Sequence, residues 1–78
     1  MNIQEAVKKA VEIDGVICRE SVYRPYLENF NVIKPTNSYH TCMVISVMRG
    51  KAYRGAKDWN PSADDLVSND WNVLRDEF

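Results

Sequence analysis

Covalent catalysis needs a nucleophile, a base within hydrogen-bond reach and a third group to orient that base. This chain of 78 residues offers one histidine and two cysteines from which to build them. His40 and Cys42 stand two apart and would share one face of a strand, since alternate strand residues point the same way, yet no motif surrounds the pair. Asp64, Asp65 and Asp70 suggest paired carboxylates, but the first two are explained as acids in the first turn of a helix. The three glycines, Gly15, Gly50 and Gly55, each fall at a stop or a turn, and none belongs to a phosphate-cradling loop or a dinucleotide fingerprint. Cys18 and Cys42 are too few and too isolated for a disulfide framework, and with a single histidine they give no zinc spacing. They read as small buried hydrophobes. The expectation is a protein that is not an enzyme and needs no cofactor or metal.

The parts for binding are better represented. Two tryptophans and four tyrosines supply aromatic faces for a base, and cations and hydroxyls supply partners for phosphate and ribose. The formal net charge of −1 hides a polarity along the chain. From Val16 to Lys57 seven basic residues face two acids, giving +5, whereas Asp58 to Phe78 carries six acids against Arg75, giving −5. Such a split favours pairing of the two halves within a chain, head-to-tail pairing between subunits, or a basic surface aimed at an anion; the alternative is a set of solvated charges. A single-stranded nucleic acid would use the same aromatic and cationic parts, but proteins that track its backbone carry a clearly basic face and this chain is slightly acidic overall.

These residues must be positioned by short local elements. Trp59-Asn60-Pro61-Ser62-Ala63-Asp64-Asp65 is a helix start: Ser62 can accept from the backbone N–H of Asp65, the two acids favour the helix dipole, and Pro61 keeps the preceding chain extended. Leu66 and Val67 would be the buried residues of this helix. Asn69-Asp70 stops it after roughly two turns, before Trp71-Asn72-Val73 alternates as a strand. At the other end Asn2-Ile3-Gln4-Glu5 is a capping-box pattern, and Ile3, Ala6, Val7, Ala10 and Val11 repeat at helical spacing. The spacing predicts a helix over about 3–14 with Gly15 as its left-handed stop. Val16 to Tyr23 alternates as a strand, with Val16 and Cys18 on one face and Ile17 and Arg19 on the other. Arg19, flanked by apolar residues, must be paired or face a site, unless it is an edge-strand arginine in water. Arg24 to Pro35 reads as an ordered loop anchored by Tyr23, Tyr26 and Phe30, which either pack or offer a stacking surface to a planar ligand. After the polar turn Pro35 to His40, Thr41 to Met48 is the strongest strand, apolar enough to be covered on both faces. Arg49-Gly50 turns it into Lys51-Ala52-Tyr53-Arg54, and Gly55 to Asp58 loops onward.

The fold class is therefore α+β: a small antiparallel sheet of three to five strands, covered on one side by the N-terminal helix, with a short second helix near the C-terminus. One domain spans residues 1–78. A domain of this size buries about 60% of its unfolded surface, and oligomerisation is a common supplement. No stretch approaches the ~18 apolar residues of a membrane span, and the N-terminus opens on a polar helix, so a cytoplasmic protein with no membrane partner is expected.

With these residues in view, the chain resembles a family of small phage and bacterial proteins that includes the second type of Thoeris anti-defence protein. The shared pattern is an N-terminal helix carrying Glu5-Ala6-Val7, a strand running from Gly15 to Arg19, and a terminal W-x-P-S-x-x-D-L-x-x-x-D-W that fixes seven of the thirteen positions from Trp59 to Trp71. Many members place a tryptophan shortly after the strand arginine, where Val22 and Tyr23 stand here. The resemblance implies a phage sponge that sequesters a cyclic ADP-ribose or related cyclic nucleotide signal without cleaving it in the host bacterial cytoplasm. It also implies a homo-oligomer, typically a tetramer, with pockets at subunit interfaces. Arg19 would then face pyrophosphate, Trp59, Tyr23 or Tyr26 would stack on a base, and Thr36, Asn37, Ser62 or Asp65 would read ribose hydroxyls. The alternatives are a protein-binding inhibitor of a host enzyme and a single-strand nucleic-acid binder.

Overall fold

The computed structural model describes residues 1–23, 29–36, 42–49 and 51–78. The expectations that fall on Tyr26, on Asn37 to Thr41 and on Gly50 lie outside them. Helix α1 (Ile3–Ile13) is followed by strands β1 (Val16–Arg19), β2 (Asn29–Lys34), β3 (Met43–Met48) and β4 (Lys51–Asp58), helix α2 (Ala63–Val67) and strand β5 (Trp71–Leu74). The sheet runs β4-β3-β2-β1-β5 with every pair antiparallel. The α+β expectation holds: an N-terminal helix, an antiparallel sheet of five strands and a short second helix.

Helix α1 begins where Asn2 Oδ1 accepts from the Glu5 N–H at 2.9 Å, satisfying one of the donors a helix start leaves open. It meets the sheet through Ala6 and Ala10, both fully buried, and small residues there let the helix sit close to β1 and β5. Val11, expected in the buried stripe, is instead largely exposed. The helix ends in a Schellman arrangement: Gly15 N–H donates to the Ala10 carbonyl at 2.7 Å and Asp14 N–H to that of Val11 at 3.4 Å. The left-handed residue is Asp14 (φ 55°), not Gly15 as the sequence suggests. Gly15 is needed for a different reason, because a Cβ there would stand 2.5 Å from the Leu74 carbonyl oxygen of β5.

Each sheet face has its own core. On the helix side Ile17, Ile33 and Trp71 join Ala6 and Ala10, with Val44, Trp59 and Val73 packed around them. On the other side Val16, Cys18, Val32 and Ile45 are buried, and Tyr23, Phe30, Leu74 and Phe78 pack against them. The strand expected over Val16 to Tyr23 ends at Arg19, where residues 20–22 turn, and within β1 the alternation is the expected one, with apolar residues buried on both faces. Two segments expected to be loops are strands. Residues 29–34 form β2, whose Asn29 and Asn31 mask an alternation in which Phe30 and Val32 serve one face and Ile33 the other. Residues 55–58 continue β4, whose register against β3 shifts between Met43 and Ile45. Such irregularities re-aim the chain beyond them, and Asp58, Trp59 and Asn60 follow this one.

Candidate functional site

Helix α1 rests on β1 and β5, and among the described elements it makes no comparable contact with the β2–β3 half of the sheet. A cavity of about 350 Å³ lies there. Asn31, Ile33 and Val44 line it from β2 and β3, and Asp58, Trp59 and Asn60 line it from the end of β4 onward. Arg19, Val22, Asp65 and Trp71 also contribute to the lining. The volume is at the low end of the ~300–1,000 Å³ typical of small-molecule sites.

The aromatic wall is built from the two tryptophans of the terminal segment. Trp71 is 2% exposed, donates its indole N–H to the Asp65 carbonyl at 2.9 Å and so belongs to the core. Trp59 stands edge-on to it, with ring centroids 5.7 Å apart and planes at 80°, and its backbone N–H donates to the Cys42 carbonyl at 2.9 Å. Trp59 is half-buried, so it is the aromatic residue that can still meet a ligand.

Sequence and register together bring Arg19 to this wall. In the β1–β5 pairing Arg19 lies opposite Trp71, which sets Asp70 beside it. Its Nε donates to Asp70 Oδ1 at 3.0 Å, and its Nη1 donates to Asp64 Oδ2 at 2.8 Å and Asp65 Oδ1 at 3.2 Å. The guanidinium side chain is only 17% exposed. These hydrogen bonds, those to Asp64 and Asp70 above all, raise the Arg19 pKa beyond its already high value. The partners respond in kind. Asp65 is held below the usual carboxylate range, first by the Ser62 backbone N–H at 2.9 Å and further by the Ser62 hydroxyl and Arg19. At Asp70 desolvation pushes upward, and the hydrogen bonds from Arg19 and Ser21 outweigh it, leaving the pKa lowered. The capping box of α2 is present in full, Ser62 Oγ accepting from Asp65 N–H at 3.1 Å.

Of the expected ligand-contacting residues, Arg19, Trp59 and Asp65 converge on the cavity. Ser62 stands behind it as the cap that orients Asp65. Tyr23 does not join them: it packs edge-on against Phe30, centroids 5.1 Å apart, on the opposite face of the sheet. Thr36 follows the Lys34 end of β2 and is not part of the lining. Tyr26 and Asn37 fall outside the described residues. The sequence reading missed Asn31, Asp58 and Asn60. Asn31 was hidden by the loop reading of β2, whereas Asp58 and Asn60 simply flank Trp59 and were findable as its neighbours.

Helix α2 is also corrected. Its expected apolar residues point away from the body, with Leu66 53% and Val67 74% exposed, because a helix of five residues is held here by its acids and by the Asp65 carbonyl instead. Cys18, buried by β1, has its thiol pushed up to about 11 by desolvation and by the charge of Asp70. Among the described residues no cluster of His, Cys, Asp and Glu could hold a metal ion, and no helix is long and apolar enough to cross a membrane.

The Tad2-like family model, described as the Thoeris anti-defense 2-like domain, matches residues 1–74. No curated protein and no solved structure matches the chain.

Proposed function

The chain belongs to the Thoeris anti-defense 2-like family, an anti-defence family, and we propose that it acts as a phage sponge: it binds a cyclic ADP-ribose-type immune signal, or a related cyclic nucleotide, and sequesters it without degrading it. The observation that carries this reading is the cavity beside the half-buried Trp59, to which the terminal motif contributes Trp59, Asp65 and Trp71 and the strands contribute Arg19 and Asn31. Sequestration requires no chemistry. A protein made in excess, with a dissociation constant below the signalling concentration, lowers free messenger by mass action.

The groups around the cavity suit holding more than cleaving. Asp65 is committed to Ser62 and Arg19 and has its pKa lowered, and the Cys18 thiol is poorly ionised near neutrality. We further propose that the protein works as a homo-oligomer, a tetramer with pockets completed at subunit interfaces, as the family resemblance implies. The outward apolar side chains of Leu66 and Val67 support this part of the reading.

Calorimetric titration with cyclic ADP-ribose isomers and cyclic dinucleotides tests the proposal, followed by heat release and chromatography of the ligand. Tight binding with the ligand recovered intact is expected. Recovery of a hydrolysed product, or no binding by any of these compounds, would refute the sponge.

A further inference from the structure

The sheet face turned away from α1 has its own core of Val16, Cys18, Val32 and Ile45, and the last residues of the chain pack over it. Strand alternation gives this face three further side chains. Phe30 and Lys34 stand on the same side of β2 as Val32, and Arg54 lies opposite Ile45 in the β3–β4 ladder. Two residues past the end of β5, Asp76 takes both arms of the Arg54 fork, Nη1 donating to Oδ1 at 2.7 Å and Nη2 to Oδ2 at 2.9 Å, with Lys34 Nζ 3.2 Å from Oδ2. Arg54 Nη1 also donates to the main-chain oxygen of Phe78 at 2.9 Å, and the Phe78 ring meets that of Phe30 edge-on with centroids 6.0 Å apart. We propose that this face is a docking groove for an extended acid-x-aromatic segment, and that residues 75–78 fill it in cis, so that a segment of the same chemistry from another chain enters only when this strap is released.

Burial separates the residues that are read from those that are not. Asp76 and Phe78 are half-buried, whereas Arg75 and Glu77, which alternate with them, are exposed. Recognition therefore rests on a carboxylate and, two residues on, an aromatic ring. The bidentate pair with Arg54 fixes the orientation of the carboxylate as well as its position, and the second cation, Lys34, makes a neutral carboxamide a poor substitute. The strap also spans the sheet, since β5 and β4 are its opposite edges and Asp76, leaving β5, is tied to β4. Residues 75–78 belong to no strand, so they can leave the face without unzipping a ladder. They lie beyond residues 1–74, the part that the family model matches, and on the face opposite the cavity. A tethered segment acts at an effective concentration in the millimolar range, which shuts out a free segment of equal intrinsic affinity present at a lower concentration.

The test uses the full chain, labelled with ¹⁵N, and follows the backbone amide signals of Val32 and Ile45 while the peptide amide Leu-Arg-Asp-Glu-Phe, the sequence of residues 74–78, is added in trans. The double variant Asp76→Asn, Phe78→Ala, whose own strap has lost both anchors, should bind the peptide with a dissociation constant of about 1 mM or tighter. The wild type should bind it at least about tenfold more weakly, because the tethered strap competes. Phe78→Ala alone, which keeps the Arg54 pair, should fall between the two. In the double variant the peptides Leu-Arg-Asn-Glu-Phe and Leu-Arg-Asp-Glu-Ala should each lose about tenfold, the worth of a charged hydrogen-bonded pair or a packed ring, whereas Leu-Ala-Asp-Ala-Phe should bind like the parent peptide. Equal binding to wild type and double variant, no binding to either variant, or equal binding of the Asn and Ala peptides would each overturn the groove.

Discussion

Replacing Gly15 with alanine should destabilise the protein by about 1–2 kcal/mol, and the reason is crowding, not backbone conformation. The new Cβ would lie 2.5 Å from the Leu74 carbonyl oxygen and 3.1 Å from two carbons of Ile13. Ile13 is half exposed and can give way. Leu74 cannot move so freely. It pairs with Val16 in the β1–β5 ladder, and β5 is held at its start by the Trp71 N–H to the Met1 carbonyl and the Met1 amine to the Trp71 carbonyl, both 3.1 Å. Ordinary contact begins near 3.4 Å, so the strands must part by about 0.9 Å. Overpacking of this kind costs about 1–3 kcal/mol, from which the reduced freedom of the unfolded chain subtracts about 0.4–1 kcal/mol. The melting temperature should fall by roughly 5–15 °C, at about 4–8 °C per kcal/mol for a domain of this size. Thermal and urea denaturation followed by circular dichroism would measure both.

The companion variant is Asp14→Gly. It relieves a left-handed non-glycine residue and gives up only the contact from the highly exposed Asp14 carboxylate to Lys34 Nζ at 2.9 Å, since Lys34 still reaches the carbonyls of Asp14 and Gly15. That change should be neutral to mildly stabilising. A neutral Gly15→Ala, or a damaging Asp14→Gly beside it, would refute the reasoning.

Acid should weaken a second tie. Asp76 accepts both Nη groups of Arg54, at 2.7 and 2.9 Å, and lies 3.2 Å from Lys34 Nζ. Arg54 first, then Lys34, hold its pKa down to about 2 from 3.8. Because the folded value is the lower one, this stabilisation is complete above about pH 5 and is lost as the pH falls toward 2. Arg54 is partly exposed, so its worth is about 1–2 kcal/mol, and the stability gap between wild type and Asp76→Asn should be constant above about pH 5 and narrow steadily from there to pH 2.5 in urea titrations. Trp71→Phe removes the indole donor to the Asp65 carbonyl and part of a buried ring, and should cost about 2–4 kcal/mol in chemical denaturation; a loss below 1 kcal/mol would mean that Trp71 is not core. Changing Leu66 and Val67 to serine together should leave the circular dichroism spectrum of the protomer intact but lower the mass measured by light scattering, and an unchanged mass would remove α2 from any subunit interface.

How much of this was legible follows from the range of each interaction. The α2 capping box, the Asn2 cap and the onset of β5 are specified by residues within three or four positions of one another, and each lies where the sequence places it. What could not be read locally is what a distant strand does to a residue. Gly15 looks like a left-handed stop until Leu74, fifty-nine positions on, is seen crowding it. β2 looks like a loop because asparagines are poor strand formers, and only pairing with β1 and β3 forces the extended conformation on them. Tyr23 reads as either a packing or a stacking residue until the sheet assigns it to the face opposite the cavity.

Charge carries the same lesson into the site. The basic middle and acidic end of the chain permit pairing within the chain, pairing between subunits, or an anion site, and nothing in the sequence ranks them. In the fold Arg19 reaches Asp64, Asp65 and Asp70, while Lys34 and Arg54 reach Asp76, so within-chain pairing accounts for these cations. An arginine that seemed available to a phosphate is held by three carboxylates of the segment that carries the two tryptophans, so its first task in the fold is to tie that segment to β1.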